Sequence, residues 1–292
     1  MDWMRAKNIL LVAFLLLNLF LGYRIWGSEI LPGYNRPFTP EQVEEVKERL
    51  LKARVTLESE IPAAAPSLPF LKLSYPTASK EALFRLFFPG VTDISAAELG
   101  RPGPVVYSRG REQLIVDDTG VIYYLVSAER VPGARVDPSR ALALAERFIL
   151  AHGGFPPSAR LDFVQYDPQH GRYVVEYGQH HDGYPIFGGR ISVGVGPSGV
   201  ESFSRTWFSP RGYSGQSRPV IPAIEALLRL VNYLDPGEQQ AIEEIKLGYY
   251  SPDYPAVQWQ AVPVWRVRTR RGSTYYINAY TGELERGVVF QP

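Results

Sequence analysis

The stretch Arg190-Ile-Ser-Val-Gly-Val-Gly-Pro-Ser-Gly-Val-Glu-Ser-Phe-Ser-Arg-Thr-Trp207 decides the fold. Two runs of alternating residues, 190–195 and 200–207, flank the turn Gly196-Pro-Ser-Gly199. Such alternation marks antiparallel strands with one buried face. A glycine late in the turn supplies the positive φ that short hairpin loops need. The same arrangement stands at Asp118-Thr-Gly120 and at Tyr280-Thr-Gly282, again between strand-like runs. The period, ~80 residues, is too long for a solenoid.

Outward from these hairpins, each is preceded by further strands and a helix. Residues 79–88 read as a short helix ended by Pro89-Gly90. Asp137 caps a second helix with Pro138 in its first turn, and Ala141, Leu142, Ala145, Phe148 and Ile149 form its buried stripe. Ile224, Leu227, Leu228, Val231 and Leu234 mark a third. Strands are predicted over 70–75, 105–107, 113–116, 121–126, 161–166, 172–178, 245–250, 262–269, 273–279 and 283–289. The class is therefore α+β, built from repeated units of one helix on an antiparallel sheet. The expected boundaries are an N-terminal α+β domain over 38–131 and a C-terminal one over 132–292, the latter made of units 132–215 and 216–292.

A helix opens the first domain. Thr39, Pro40 and Gln42 spell a capping box with proline at the first helical position. Val43, Val46, Leu50, Ala53 and Leu57 then recur at spacings of three and four. This seam is short for a coiled coil. It either lies on the chain's own sheet or offers Val43, Val46 and Leu50 to another chain.

Ahead of it, Ile9-Leu-Leu-Val-Ala-Phe-Leu-Leu-Leu-Asn-Leu-Phe-Leu21 is apolar, with Arg5 and Lys7 in front. Extended to Trp26, with Arg24 snorkelling outward, the run reaches membrane-spanning length. Trp3 and Trp26 then stand about 35 Å apart on a helix, one near each interface. Tyr23-Arg24-Ile25-Trp26 supplies no small-residue cleavage pattern. The expectation is a cytoplasmic tail (1–7), an uncleaved transmembrane helix (8–26), a linker (27–37) and an extracellular remainder. Asn18 is the one strongly polar side chain in the run. Its amide seeks a hydrogen-bond partner at depth, which a neighbouring helix can provide. Asn18, Leu17 and Phe20 are the candidate contact residues there.

Lys and Arg number 31 against 30 Asp and Glu, so no basic field exists to favour nucleic acid. The absence of cysteine removes disulfides, thiolate metal sites and cysteine nucleophiles together. The residue pattern offers no metal site, cofactor or catalytic set. His180 and His181 are adjacent, so on a strand they point to opposite faces. Asp117-Asp118 precedes Thr119-Gly120, which is turn chemistry. Trp207, Trp259 and Trp265 with Tyr249, Tyr250 and Tyr254 read as core aromatics, with an exposed glycan- or protein-binding surface as the other possibility.

Met1-Asp2-Trp3 and Leu16-Leu-Asn-Leu-Phe-Leu-Gly22 resemble the start of the YycI family. Asp182-Gly-Tyr-Pro-Ile-Phe-Gly-Gly-Arg-Ile-Ser-Val193 resembles that family's central hairpin. Leu247-Gly-Tyr-Tyr250, Val262-Pro-Val-Trp-Arg266 and Tyr276-Ile-Asn-Ala-Tyr-Thr-Gly282 resemble its C-terminal unit. The last stretch is also similar to PepSY-type modules. The resemblance covers the anchor and residues 132–292. It implies a single-pass membrane protein that, with a YycH-like protein, binds an essential sensor histidine kinase of the WalK (YycG) type controlling cell-wall metabolism. In some members the pair restrains the kinase and in others it supports it. A binding and regulatory protein is implied, not an enzyme. The alternative is a PepSY-like extracellular module that inhibits or scaffolds a peptidase or wall hydrolase.

Overall fold

Helix α1 (Pro40–Lys52) begins as its sequence dictates. Thr39 Oγ1 accepts from the Gln42 amide at 3.3 Å, and Gln42 Oε1 accepts from the Thr39 amide at 3.0 Å. Two amides that the first turn would leave unpaired are thus satisfied. Arg54, at φ 61, turns the chain out of the helix. Leu57 therefore lies in strand β1 (Val55–Leu57), and the expected apolar seam stops at Ala53. The computed structural model describes residues 7, 11–18, 38–76, 79–91, 95–98, 103–127, 136–234, 239–252 and 256–288.

After strand β2 (Ser67–Ser74) the repeat unfolds three times. Helix α2 (Lys80–Phe87) heads β3 (Ser95–Glu98), β4 (Val105–Arg109), β5 (Glu112–Val116) and β6 (Ile122–Val126). Helix α3 (Pro138–Ala151) heads β7 (Ala159–Asp167), β8 (Arg172–His181), β9 (Tyr184–Gly196) and β10 (Gly199–Thr206). Strand β11 (Ser209–Pro219) then leads to α4 (Ala223–Leu230), which heads β12 (Gln240–Tyr250), β13 (Gln258–Thr269), β14 (Thr274–Asn278) and β15 (Leu284–Val288). Within each set the four strands pair antiparallel in sequence order.

Gly120, Gly199 and Gly282 each sit between the third and fourth strands of their set, at φ 80, 121 and 73. Two of these turns also use an Asx side chain. Asp117 Oδ1 accepts from the Thr119 and Val121 amides, each at 2.9 Å. Asn278 Oδ1 accepts from the Tyr280 and Thr281 amides at 2.8 and 3.1 Å. Asp117 is thus occupied as turn chemistry, as its sequence context implies.

The first two sets share one core. Leu83 and Phe87 of α2 and Ala141, Ala145 and Ile149 of α3 pack on Leu114, Ile122, Val175, Val193 and Phe203. The third set has another. Val46 and Leu50 of α1 pack with Ala223, Leu227 and Leu230 of α4 over Ile242, Trp265 and Ile277. Both cores cross the expected domain boundary at 131/132. Residues 80–126 pack with 138–203, whereas α1 packs with the C-terminal unit.

One sheet runs through both bodies in the order β11-β2-β13-β12-β9-β10-β6-β5-β4-β3. Strand β9 makes the join. Its first residues run parallel to β12, with Ile186 opposite Tyr249 and Phe187 opposite Tyr250, while Arg190 to Gly196 pair with β10. Between them Gly188 takes φ 107, and a Cβ there would stand 2.5 Å from the Ser251 carbonyl oxygen. Only glycine permits this bend and approach. Buried Gln179 braces it, donating to the Phe208 carbonyl at 2.7 Å and accepting from the Phe208 amide at 3.0 Å.

Besides β1, two strands escape the residue pattern. Strand β3 reads Ser-Ala-Ala-Glu and is exposed throughout. Strand β11 reads Ser-Pro-Arg-Gly-Tyr-Ser-Gly-Gln-Ser-Arg-Pro, and its register against β2 breaks twice. Both are edges, where proline and polar residues cost little because one side of the strand has no ladder to complete.

Residues 11–18 are helical. Among the described residues no helix is long and apolar enough to cross a membrane, and most of the expected span 8–26 lies outside them.

Candidate functional site

Strand β13 separates its faces by alternation. Trp265 and Val267 are fully buried in the core, and the Trp265 indole donates to the Ile221 carbonyl at 2.9 Å. Arg266 and Arg268 therefore project from the opposite face. On β12 the residues in register are Lys246 and Glu244. Strand β7, from the preceding unit, brings Asp162 over the same spot.

Arg266 is the hub of this group. Its Nη1 and Nη2 donate to the two carboxylate oxygens of Asp162 at 2.8 and 2.9 Å, and its Nε donates to Glu244 at 2.8 Å. Arg268 Nη2 reaches Glu244 at 3.2 Å, and Lys246 Nζ reaches it at 2.6 Å. Three cations thus share two carboxylates. The side chains of Arg266 and Asp162 are only 9% and 11% exposed, so this pair is worth more than a surface ion pair. The guanidinium lies 4.5 Å over the Phe187 ring. Burial pushes Asp162 up, but the Arg266 hydrogen bonds and the charges of Arg266, Arg268 and Lys246 more than offset it, and its carboxyl is held below the usual value.

The hub floors a cleft between the second and third units. Its narrow end, about 140 Å³, holds Asp162, His180 and Lys246. Its wide end, about 380 Å³, is lined by Arg190, Arg268 and Arg286 with Phe163, Tyr250 and Tyr276. Glu176, Arg190, Arg266 and Tyr276 border both. Tyr250 and Tyr276 stack at 4.5 Å, and Arg286 Nη1 donates to the Tyr250 hydroxyl at 3.4 Å. Glu176 is inset in the wall, 3.9 Å from Arg190 Nε. Burial raises its carboxyl, and the Arg190 charge offsets this only in part.

The residues singled out from sequence fall elsewhere. Val46 and Leu50, candidates for contact with another chain, are 2% and 0% exposed and turn inward onto α4, while Val43 is half-buried. The reading of α1 as lying on the chain's own sheet is the one the structure supports, although it packs on a helix as well as on strands of the C-terminal unit. Leu17 and Asn18 are exposed, and Asn18 Nδ2 donates to the Phe14 carbonyl at 2.8 Å. Phe20 and Tyr254 lie outside the described residues. Trp259 is buried with its indole donating to Ser251 Oγ at 2.6 Å, and Tyr249 is fully buried, so these are core aromatics; among the described members of that group, Tyr250 lines the cleft.

His180 lines the narrow end of the cleft, its pKa lowered by burial, whereas the His181 ring sits 5.8 Å from Tyr213 on the other side. Asp182 and Gly183, at φ 48 and 86, form the two-residue hairpin turn between β8 and β9. Among the described residues no group of three or more His, Asp or Glu is placed to hold a metal ion. The charged cleft itself escaped sequence reasoning. Nothing local marks Glu244, Lys246, Arg266 and Arg268 as a cluster or announces that Asp162 arrives from 104 residues away. The one trace is the period-two alternation of Trp265-Arg266-Val267-Arg268 beside a run of apolar residues.

Comparison with known proteins bears on the fold and the family. No curated protein matches the sequence. A crystal structure of an uncharacterized protein from Eubacterium rectale is similar with a TM-score of 0.52 at 12% identity, covering 80% of this chain and 91% of that one, a likeness of fold alone. The family model described as YycI protein matches residues 161–280, which run from β7 to the turn before β15 and contain the whole ion cluster. The YycI resemblance read from the residues is thereby shown over that stretch.

Proposed function

We propose that the chain is a membrane-anchored regulatory protein that binds an essential sensor histidine kinase of the WalK type, together with a YycH-like protein, and adjusts its activity. The observation that carries this reading is the YycI match over residues 161–280. That family is regulatory and is not known for enzymes. The apolar run 9–21 behind Arg5 and Lys7 supports a single N-terminal span with the remainder outside the cell.

The test is affinity purification of the intact tagged chain from native membranes after brief crosslinking. A sensor kinase and a YycH-like protein recovered at near-stoichiometric amounts are the expected result. Recovery of an extracellular peptidase or wall hydrolase in their place would replace this reading with the scaffold one. Protection of residues 38–288 from protease added outside intact cells, with digestion after lysis, would overturn the placement.

A further inference from the structure

We propose that strand β7 is the interface of a two-fold dimer of this chain, in which β7 pairs antiparallel with β7 of a second copy and the sheets of the two copies become continuous. The inference goes beyond the kinase reading and does not depend on it.

The free edges of the sheet are not alike. Strand β3 has four residues and β15 has five. Strand β11 carries two prolines and two glycines, and its register breaks twice. Short length, proline and broken register are devices that keep an edge from pairing with other chains. Strand β7, Ala-Arg-Leu-Asp-Phe-Val-Gln-Tyr-Asp, is nine residues long without proline, glycine or lysine. Among the described residues it pairs with β8 alone. Its one bulge, at Asp162, serves another end, because it aims that carboxylate at Arg266.

The edge is also complementary to itself. Its register with β8 puts Leu161, Val164 and Tyr166 opposite Tyr177, Val175 and Tyr173, on the face that α3 packs against. Arg160, Phe163, Gln165 and Asp167 take the other face. With Asp162 skipped, as β8 skips it, a two-fold axis at Val164 sets Leu161 opposite Tyr166 of the second copy. Phe163 then meets Gln165, and Arg160 meets Asp167. Both members of every pair lie on the same face, as directly opposed residues must. Leu161 and Tyr166 are 49% and 40% exposed, an apolar margin beside α3 that the second copy covers. Arg160 is exposed and meets an opposite charge, although Asp167 already holds His170 at 2.7 Å, so the apolar pairs contribute more. Moving the axis by one residue breaks both the apolar and the charged match. One strand pair is small beside the ~1,600 Å² of a stable complex, so the dimer is reversible and depends on concentration.

The chain has no cysteine, so introduced ones report without background. The experiment is oxidative crosslinking of full-chain variants in detergent micelles, without any kinase, beside sedimentation of the parent. Val164→Cys, which faces its own copy across the axis, is expected to crosslink quickly. A mixture of Leu161→Cys and Tyr166→Cys chains should crosslink about tenfold faster than either variant alone, because only unlike residues are opposed. Ala97→Cys, on the exposed edge β3, should stay uncrosslinked. In sedimentation the parent should dimerise, and Leu161→Asp should weaken the dimer about tenfold, since a substitution acts twice across a two-fold interface. Its melting temperature should stay that of the parent, because Leu161 is exposed; a lowered one would move the test to Gln165→Lys, with the same expected weakening. A parent that stays monomeric, Ala97→Cys chains that crosslink as fast as Val164→Cys chains, or a mixture no faster than its components would each overturn the proposal. So would a Val164→Cys chain that crosslinks in native membranes to a different protein and never to itself, which would give the edge to another partner.

Discussion

The two bodies joined by β9 are made of the same parts and assembled differently. The first, residues 80–208, is contiguous in sequence and puts two helices on two successive meanders. The second draws α1 and β1 from before the first body and α4 with β12 to β15 from after it. Its core closes only when segments 185 residues apart meet, Val55 beside Gln240 for example. The first body can complete its core as soon as its own residues are made. The second waits for its last strand, and contacts between distant segments pay more chain entropy before they return any burial.

The join offers the largest test of this difference. Arg266→Ala leaves Asp162 and Glu244 buried without their shared partner, which is expected to cost about 3–5 kcal/mol in denaturant unfolding. Two separated transitions in place of one would reveal the bodies uncoupled. A loss under 1 kcal/mol would demote the cluster to a surface ion pair.

Next comes the second body alone. Leu50→Ala should cost about 2–5 kcal/mol through the cavity left against α4. Hydrogen exchange should quicken across 240–278 and stay slow across 172–206. The neighbouring Leu51, 64% exposed, serves as the control, and its alanine variant should stay within about 0.5 kcal/mol of the parent. Equal exchange changes in both bodies would mean that they unfold as one.

A smaller effect separates two carboxylates of the same cleft by sign. Asp162 is held below the ordinary value, so its stabilisation is full above the unfolded carboxylate range, about pH 4, and is lost as pH falls through its folded value. Glu176 is raised by burial, so it disfavours the folded state when ionised, and stability is lost as pH rises through its folded value. Melting temperature against pH should therefore lose its upper slope in Glu176→Gln and its lower slope in Asp162→Asn. Curves that stay parallel to the parent in both variants would contradict these directions.

The smallest effect lies outside both bodies. Asn18 already donates one amide hydrogen to the Phe14 carbonyl, so, if the proposed kinase is the partner, Asn18→Leu should weaken that association by about 1 kcal/mol at most. It should leave the unfolding of either body unchanged. A complete loss of association would make this side chain a principal contact.

Much of the architecture was written locally. Thr39-Pro40 and Asp137-Pro138 start their helices where they stand, and the three turn glycines mark the third hairpin of each unit, because caps and turns are decided by a few adjacent residues. What was not legible depends on partners remote in sequence. Strand β11 is a strand only because β2 lies beside it, since its own proline, glycine and serine content argues for a loop. The alliance of α1 with α4 was hidden because an apolar stripe states that something covers it and not what. The ion hub was hidden for a related reason: charges on a strand look solvated until a third strand covers them.

Helix α1 (Pro40–Lys52) is seated on α4. Should residues 8–26 tether the chain to a membrane, tension on that tether enters the second body directly, by shear along α1 and β1. The first body meets that load only through the shared strand β9 and the covalent links beside it.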